Sequence, residues 1–187
     1  MRVQQYALWL MPTGHVYDQL ADLIRQLSAE NVTPAFEPHV TLLSPIIGGH
    51  DEVLQKTALL CTQINALEIC LLDCGYSNEY FKCLFVNANR SDQLLSSHTA
   101  ALNVFGIRQA TAFDPHLSIA YGDIPVAQKA IIAVSITDKV RVAFEVAHVD
   151  LYSITGNPDQ WYRIERYPLG PRGTLHHRSR STQDIGE

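Results

Sequence analysis

No run of this chain is apolar for long enough to cross a bilayer, which takes about 20 consecutive apolar residues. None is basic enough to grip a polynucleotide either. The formal net charge is −5 and the isoelectric point lies near 5.9, whereas proteins that hold long nucleic acid usually carry a basic stripe. Only the end of the chain, with Arg172, His176, His177, Arg178 and Arg180, is mildly basic. The expected partner is a small ligand, neither a long nucleic acid nor a membrane. Cysteine is sparse: Cys61, Cys70, Cys74 and Cys83 form no C-x-x-C pair, so the spacing of a zinc ribbon is missing. Small apolar thiols in a reducing compartment account for them. The opening Met1-Arg2-Val3-Gln4-Gln5 lacks the plan of a secretory leader, and the apolar tract after it breaks at Pro12. The cytoplasm is the default compartment, and a monomer that uses no cofactor or metal is expected.

What is present is enough apolar material for a core, 47% of 187 residues, in one domain or two small lobes. Within it, two short tracts spell nearly the same thing. They are Pro38-His39-Val40-Thr41-Leu42-Leu43, preceded by Glu37, and Pro115-His116-Leu117-Ser118-Ile119-Ala120, preceded by Asp114. In an extended strand, side chains at i and i+2 share a face. Each tract thus sets an imidazole beside an alcohol, with Val40 or Leu117 turned the other way into a core. A histidine two residues before a hydroxyl is a weak signal alone, since His177-Arg178-Ser179 matches too. What distinguishes the first two is a proline suited to a strand's first residue and an apolar continuation. Brought together, they would supply two proton-transfer groups and two neutral donors around one anionic centre.

The remaining pattern alternates strands and helices. Strands are expected over Gln5–Met11, His39–Ser44 (closed by Pro45), Leu67–Cys74, Phe81–Asn87, His116–Tyr121 (ended at Gly122), the alternating run Val140–Ile154, and Trp161–Tyr167. Ser77-Asn78-Glu79 makes the turn between the third and fourth. Helical spacing marks His15–Ala29, a stretch capped by Asp51 and running to about Asn65, one opened by Ser91 or Asp92 through Val104, and one from Pro125 to Val134. The expected class is α+β, with two pseudo-symmetric lobes over residues 1–169. Each lobe is an antiparallel sheet backed by helices, and a central cleft lies between the histidine motifs. Residues 170–187 read as a flexible polar tail.

These motifs resemble the two-histidine phosphoesterase superfamily, which is defined by paired His-x-Ser/Thr-x-apolar motifs. Within it, the chain is most similar to the cyclic phosphodiesterase family. The similarity extends to Tyr6-Ala7-Leu8-Trp9-Leu10-Met11-Pro12, to Phe36-Glu37-Pro38-His39-Val40-Thr41, and to the second motif through Tyr121-Gly122. It spans roughly residues 3 to 169. The resemblance implies hydrolysis of nucleoside 2′,3′-cyclic phosphates to 2′-phosphates, and of ADP-ribose 1″,2″-cyclic phosphate to the 1″-phosphate, in the metabolism of RNA and tRNA splicing products. It also places Tyr121 near the phosphate.

In that reaction one histidine would take a proton from water while the other protonates the leaving oxygen, because imidazole titrates near working pH. His116 is expected as base and His39 as acid, with Thr41 and Ser118 donating to the non-bridging oxygens. Phe81 and Trp9 are candidates to stack on a base or ribose. His148, Asp150 and Tyr152 read as a polar outer face, and His15, His50 and His98 as surface or helix residues. Three alternatives stand beside this reading. One is an enzyme of RNA cyclic-phosphate ends or 2′-5′ linkages, and another is a non-catalytic nucleotide-binding module. The third is a metalloenzyme in which Glu37 and Asp114 join the histidines as ligands.

Overall fold

The computed structural model describes residues 4–108 and 112–171. Its strands are β1 (Gln5–Leu10), β2 (Val40–Ile47), β3 (Leu67–Tyr76), β4 (Leu84–Ala88), β5 (His116–Ala120), β6 (Ala143–Val146), β7 (His148–Ser153) and β8 (Tyr162–Pro168). The helices are α1 (Gly14–Asn31), α2 (His50–Cys61), α3 (Asp92–Phe105) and α4 (Val126–Val140). All strand pairs are antiparallel, in one 8-stranded sheet ordered β6-β3-β4-β5-β2-β1-β7-β8. The fold is α+β, as the alternation of patterns predicts. Among the described residues, no helix is long and apolar enough to cross a membrane.

The pseudo-symmetry is visible in two like units. In β1-α1-β2 and again in β4-α3-β5, a helix connects two strands that pair side by side. The two units meet at the β2–β5 seam, where Val40 stands opposite Leu117. Helices brace that seam crosswise: α1 packs on β5 and α3 on β2. Leu20, Ile24, Val40, Leu42, Leu117 and Ile119 belong to one continuous core beneath the helices. Strand β1 serves two cores. Tyr6, Leu8 and Leu10 face the main one, while Ala7, Trp9 and Met11 form a smaller cluster with Tyr152 on the opposite face.

The like units are not consecutive halves of the chain, because β7 and β8 return to the first unit after β3 to β6 complete the second. Several expectations change. The run from Val140 to Ile154 is split accordingly: β6 pairs with β3 and β7 with β1, with Ala147 between them. Alternation reports burial of one face and is silent about which neighbour covers it. Pro45 does not close β2, since the strand continues to Ile47 through a register shift between the pairs Tyr6–Ile46 and Leu8–Leu43. A bulge needs no ladder donor there, and so it admits proline.

Gly49, not Asp51, is the N-cap of α2, and Asp51 sits in its first turn, where the helix dipole favours a carboxylate. Helix α4 runs past Val134 to Val140, because Ala133, Ile136 and Val140 form a buried stripe, and that burial overrides the weak helix propensity of a β-branched run. For α3 the expected cap is found, the Ser91 hydroxyl accepting the Leu94 N–H at 3.3 Å. Gly170 bridges to Asn65. Most of the expected tail, 172–187, lies outside the described residues.

Candidate active site

The register of the seam assembles the site. With Val40 opposite Leu117, continuing the antiparallel ladder sets His39 opposite Ser118 and Thr41 opposite His116. Val40 and Leu117 are fully buried on the helix side, so their neighbours at i±1 project from the other face. Two imidazoles therefore occupy one diagonal of a four-residue square, and two hydroxyls the other. Diagonal neighbours of this kind stand about 7–8 Å apart, a span that can take a phosphate between them. All four residues line one cavity of about 410 Å³.

Both histidines are oriented alike. The Nδ1 of His39 lies 2.7 Å from the Glu37 carbonyl, and that of His116 lies 2.8 Å from the Asp114 carbonyl. A carbonyl only accepts, so each Nδ1 carries the proton, and Nε2 is the nitrogen left for chemistry. The carboxylates of the same two residues point elsewhere. Glu37 accepts hydrogen bonds from the hydroxyls of Tyr17 (3.1 Å) and Tyr152. Asp114 pairs with Lys82 Nζ at 2.5 Å, which holds its carboxyl below the usual range. The face-sharing assumed for a metal-ligand set is thus taken up by the two carbonyls, and the carboxylates have protein partners.

The two rings differ in environment. His39 is buried, and loss of hydration pushes its imidazole down to about 4, with the His116 charge adding to the effect. His116 is also lowered, first by burial and then by Lys82, but the nearby Asp114 and Glu79 carboxylates work the other way. Ser118 donates to the Phe81 carbonyl at 2.9 Å. Its one hydroxyl proton is engaged in that bond.

The aromatic candidates separate into two roles. Phe81 stands in the 3-10 turn Tyr80–Lys82, outside β4, and is 53% exposed at the cavity mouth. Trp9 lines the same cavity, but its ring is already stacked on neighbouring side chains. Its centroid lies 3.6 Å from that of His39 (interplanar angle 9°) and 3.8 Å from that of Tyr152 (25°), so both faces of the indole are covered. Tyr121 does reach the cavity, although its parity predicts the opposite face. Strand β5 ends at Ala120 and Gly122 turns the chain at φ 117°. Tyr121 then stacks on Phe36, 3.7 Å away, tying the second motif to the first.

Sequence reasoning misses Trp161, which lines the cavity beside Phe81 and Tyr121. Its position after the Gly156-Asn157-Pro158-Asp159 turn was the available hint, since rigid loops at a cleft often carry binding groups. Asp150 and Tyr152 are buried rather than outward, Asp150 holding Arg166 in two hydrogen bonds of 2.8 and 3.0 Å. His98 is buried as well. It lies 2.7 Å from the Leu42 carbonyl and stacks on Phe113, joining α3 to the first motif strand.

Comparison with known proteins places this arrangement. A model of the family described as "cyclic phosphodiesterase-like protein" matches residues 4–167. The cyclic phosphodiesterase of Arabidopsis thaliana is 23% identical over 124 residues, which cover 66% of this chain and 68% of that protein. Among solved structures, E. coli LigT complexed with 3′-AMP aligns with a TM-score of 0.61 at 13% identity, over 90% of this chain and 99% of LigT. The TT0787 protein of Thermus thermophilus aligns with a TM-score of 0.64 at 14% identity, over 90% of this chain and all 100% of its own. The structural likenesses carry the fold, and the match across 4–167 carries the family: this chain belongs to the cyclic phosphodiesterase-like family of the two-histidine phosphoesterase superfamily.

Proposed function

We propose that this enzyme opens a nucleoside 2′,3′-cyclic phosphate to the 2′-phosphate, with His39 and His116 as the proton-transfer pair. ADP-ribose 1″,2″-cyclic phosphate, opened to the 1″-phosphate, is the second substrate of the same chemistry. The observation that carries the reading is the lining of one cavity by both imidazoles and both hydroxyls. Water attacks phosphorus in line with the departing O3′. A P–O bond to water forms, the P–O3′ bond breaks, one ring takes the water's proton, and the other gives a proton to O3′. Each transfer typically contributes about 10²- to 10⁴-fold. Thr41 and Ser118 donate to the non-bridging oxygens as negative charge builds there.

One ring must be charged at the start, and burial opposes this on both, most strongly on His39. An anionic phosphodiester between the rings reverses that penalty, so proton and substrate bind together. The greater desolvation of His39, set against the carboxylates around His116, favours His116 as the ring that holds the proton. That bias runs against the assignment of His116 as base and His39 as acid. The base or ribose lies against Trp161 and Phe81 at the mouth. Complexes of E. coli LigT with 3′-AMP, ATP and NADP+ support a small nucleotide as occupant. A net charge of −5 also favours a mononucleotide over RNA.

The test is product analysis after incubation with 2′,3′-cyclic AMP in a chelator. Adenosine 2′-phosphate is the expected product, and His39→Ala and His116→Ala should each lose about 10²-fold or more in kcat. A near-normal rate in either variant, or activity confined to oligonucleotides with cyclic ends, would overturn the proposal. Loss of activity in the chelator would return the metal reading.

A further inference from the structure

A set of contacts closes on itself around His39, and two of its members, Glu37 and Tyr152, stand outside the cavity that His39 and Trp9 line. We infer that Glu37 and Tyr152 are positioning residues that hold His39 as the Nδ1–H tautomer with Nε2 aimed at phosphorus, an inference that rests on His39 being a proton-transfer group.

The circuit can be followed bond by bond. The His39 Nδ1–H donates to the Glu37 carbonyl at 2.7 Å. The Glu37 carboxylate accepts from the Tyr152 hydroxyl, and from Tyr17 at 3.1 Å. The Tyr152 ring lies 3.8 Å from Trp9, and Trp9 lies 3.6 Å from His39. The contributors come from the segment before β2, from β7, from α1 and from β1, so the circuit exists only in the folded protein.

Each part has its own physical task. Stacking on Trp9 sets the plane of the imidazole but not which edge faces the cavity. A half turn about Cβ–Cγ keeps the plane, yet it puts Cδ2 against the carbonyl and a carbon where Nε2 stood. Only the Nδ1 bond tells the two orientations apart, so the carbonyl must stay in place. It belongs to the residue whose side chain the two phenols anchor. Burial and the adjacent carboxylate push the Tyr152 phenol up, so it remains a donor.

The second motif carries out the same task with other chemistry. There the Asp114 carbonyl meets His116 Nδ1 at 2.8 Å, and Lys82 anchors the Asp114 side chain. A backbone acceptor on an anchored acid recurs, while the anchor changes from phenols to ammonium. Anchoring is the common element. Glu37 and Tyr152 line a separate cavity of about 330 Å³ beyond Trp9 and are absent from the lining of the catalytic one. Their carboxylate and hydroxyl act on His39 through position, not by touching substrate.

The experiment compares Tyr152→Phe, Glu37→Ala and Glu37→Gln with the unmodified enzyme, using steady-state kinetics and ¹⁵N NMR of the His39 ring. Tyr152→Phe and Glu37→Ala should lower kcat about tenfold to a hundredfold, as small misplacements of reacting groups do, with KM within about twofold. Their His39 nitrogens should shift from a clean Nδ1–H pattern to a mixture of tautomers. Glu37→Gln should recover most of the rate, because its amide oxygen still accepts from the phenols. Unchanged kcat and ring shifts in Tyr152→Phe would overturn the inference. So would a Glu37→Gln variant as slow as Glu37→Ala, since charge rather than anchoring would then be at work. The NMR readout needs no turnover, so a failed hydrolase reading and a failed clamp give different results.

Discussion

Val40 and Leu117 face each other across the junction of β2 and β5, and each follows one of the two cavity-lining histidines by one residue. Both side chains are fully buried, so this apolar pair holds the register that brings the two histidine pairs onto one face. Leu117→Ala should destabilise the protein by about 2–5 kcal/mol through lost burial and a residual cavity. The double variant with Val40→Ala should depart from additivity by about 0.5–3 kcal/mol, as contacting residues do. Urea denaturation of the four proteins measures both quantities. Strict additivity would mean that the seam is held by the helices alone.

Trp9 and Trp161 should fail in different ways. Trp161 lines the open side of the cleft, and a base–aromatic stack is worth about 1–3 kcal/mol. Trp161→Ala should therefore raise KM about tenfold or more and change kcat little. Trp9 lies sealed between His39 and Tyr152, so Trp9→Ala should lower kcat and thermal stability together. Equal kinetic behaviour of the two variants would contradict the separation of roles.

Stability should depend on pH through His39. Its imidazole is pushed down to about 4 in the folded protein, against an unfolded value near 6.5. Between these values the unfolded chain binds the extra proton, so stability is greatest above about pH 6.5 and falls as pH drops toward 4. The full loss attributable to this ring is about 3 kcal/mol. His39→Gln should flatten the slope in that window. In kinetics, the charged ring should titrate higher in kcat, which reports the complex, than in kcat/KM, which reports the free enzyme.

Asp150 is 1% exposed and held by the Arg166 guanidinium, with Arg163 farther away at 3.6 Å. Arg166→Ala leaves a buried carboxylate short of its main partner, a change that costs about 3–5 kcal/mol when compensation is lost altogether. Arg163 should keep the loss near the lower end. Asp150 sits opposite Trp9 in the sheet, so the same substitution should also depress kcat. Denaturation and kinetics on Arg166→Ala check both parts.

Much of the fold was legible because its signals are local. The apolar stripe of Leu20, Ile24 and Leu27 marks α1, and Ser91 caps α3, as read from the chain. Pro45 and the Val140–Ile154 run misled because a bulge and a change of partner strand depend on distant segments. Asp150 and Tyr152 read as surface because a polar residue on alternate positions looks solvated until its buried partner is known. Trp161 gave almost no signal, being one aromatic after a turn.

By itself the sequence determined which side chains share a face: His39 with Thr41, and His116 with Ser118, since strand alternation follows from backbone geometry alone. It also determined that two such pairs exist. That they meet in one cavity, which nitrogen each ring presents, and which tryptophan is stacked between neighbours while the other lines the open side were decided by the tertiary structure. Each of those depends on cross-strand register, burial and partners that lie far apart along the chain, and no local preference encodes them.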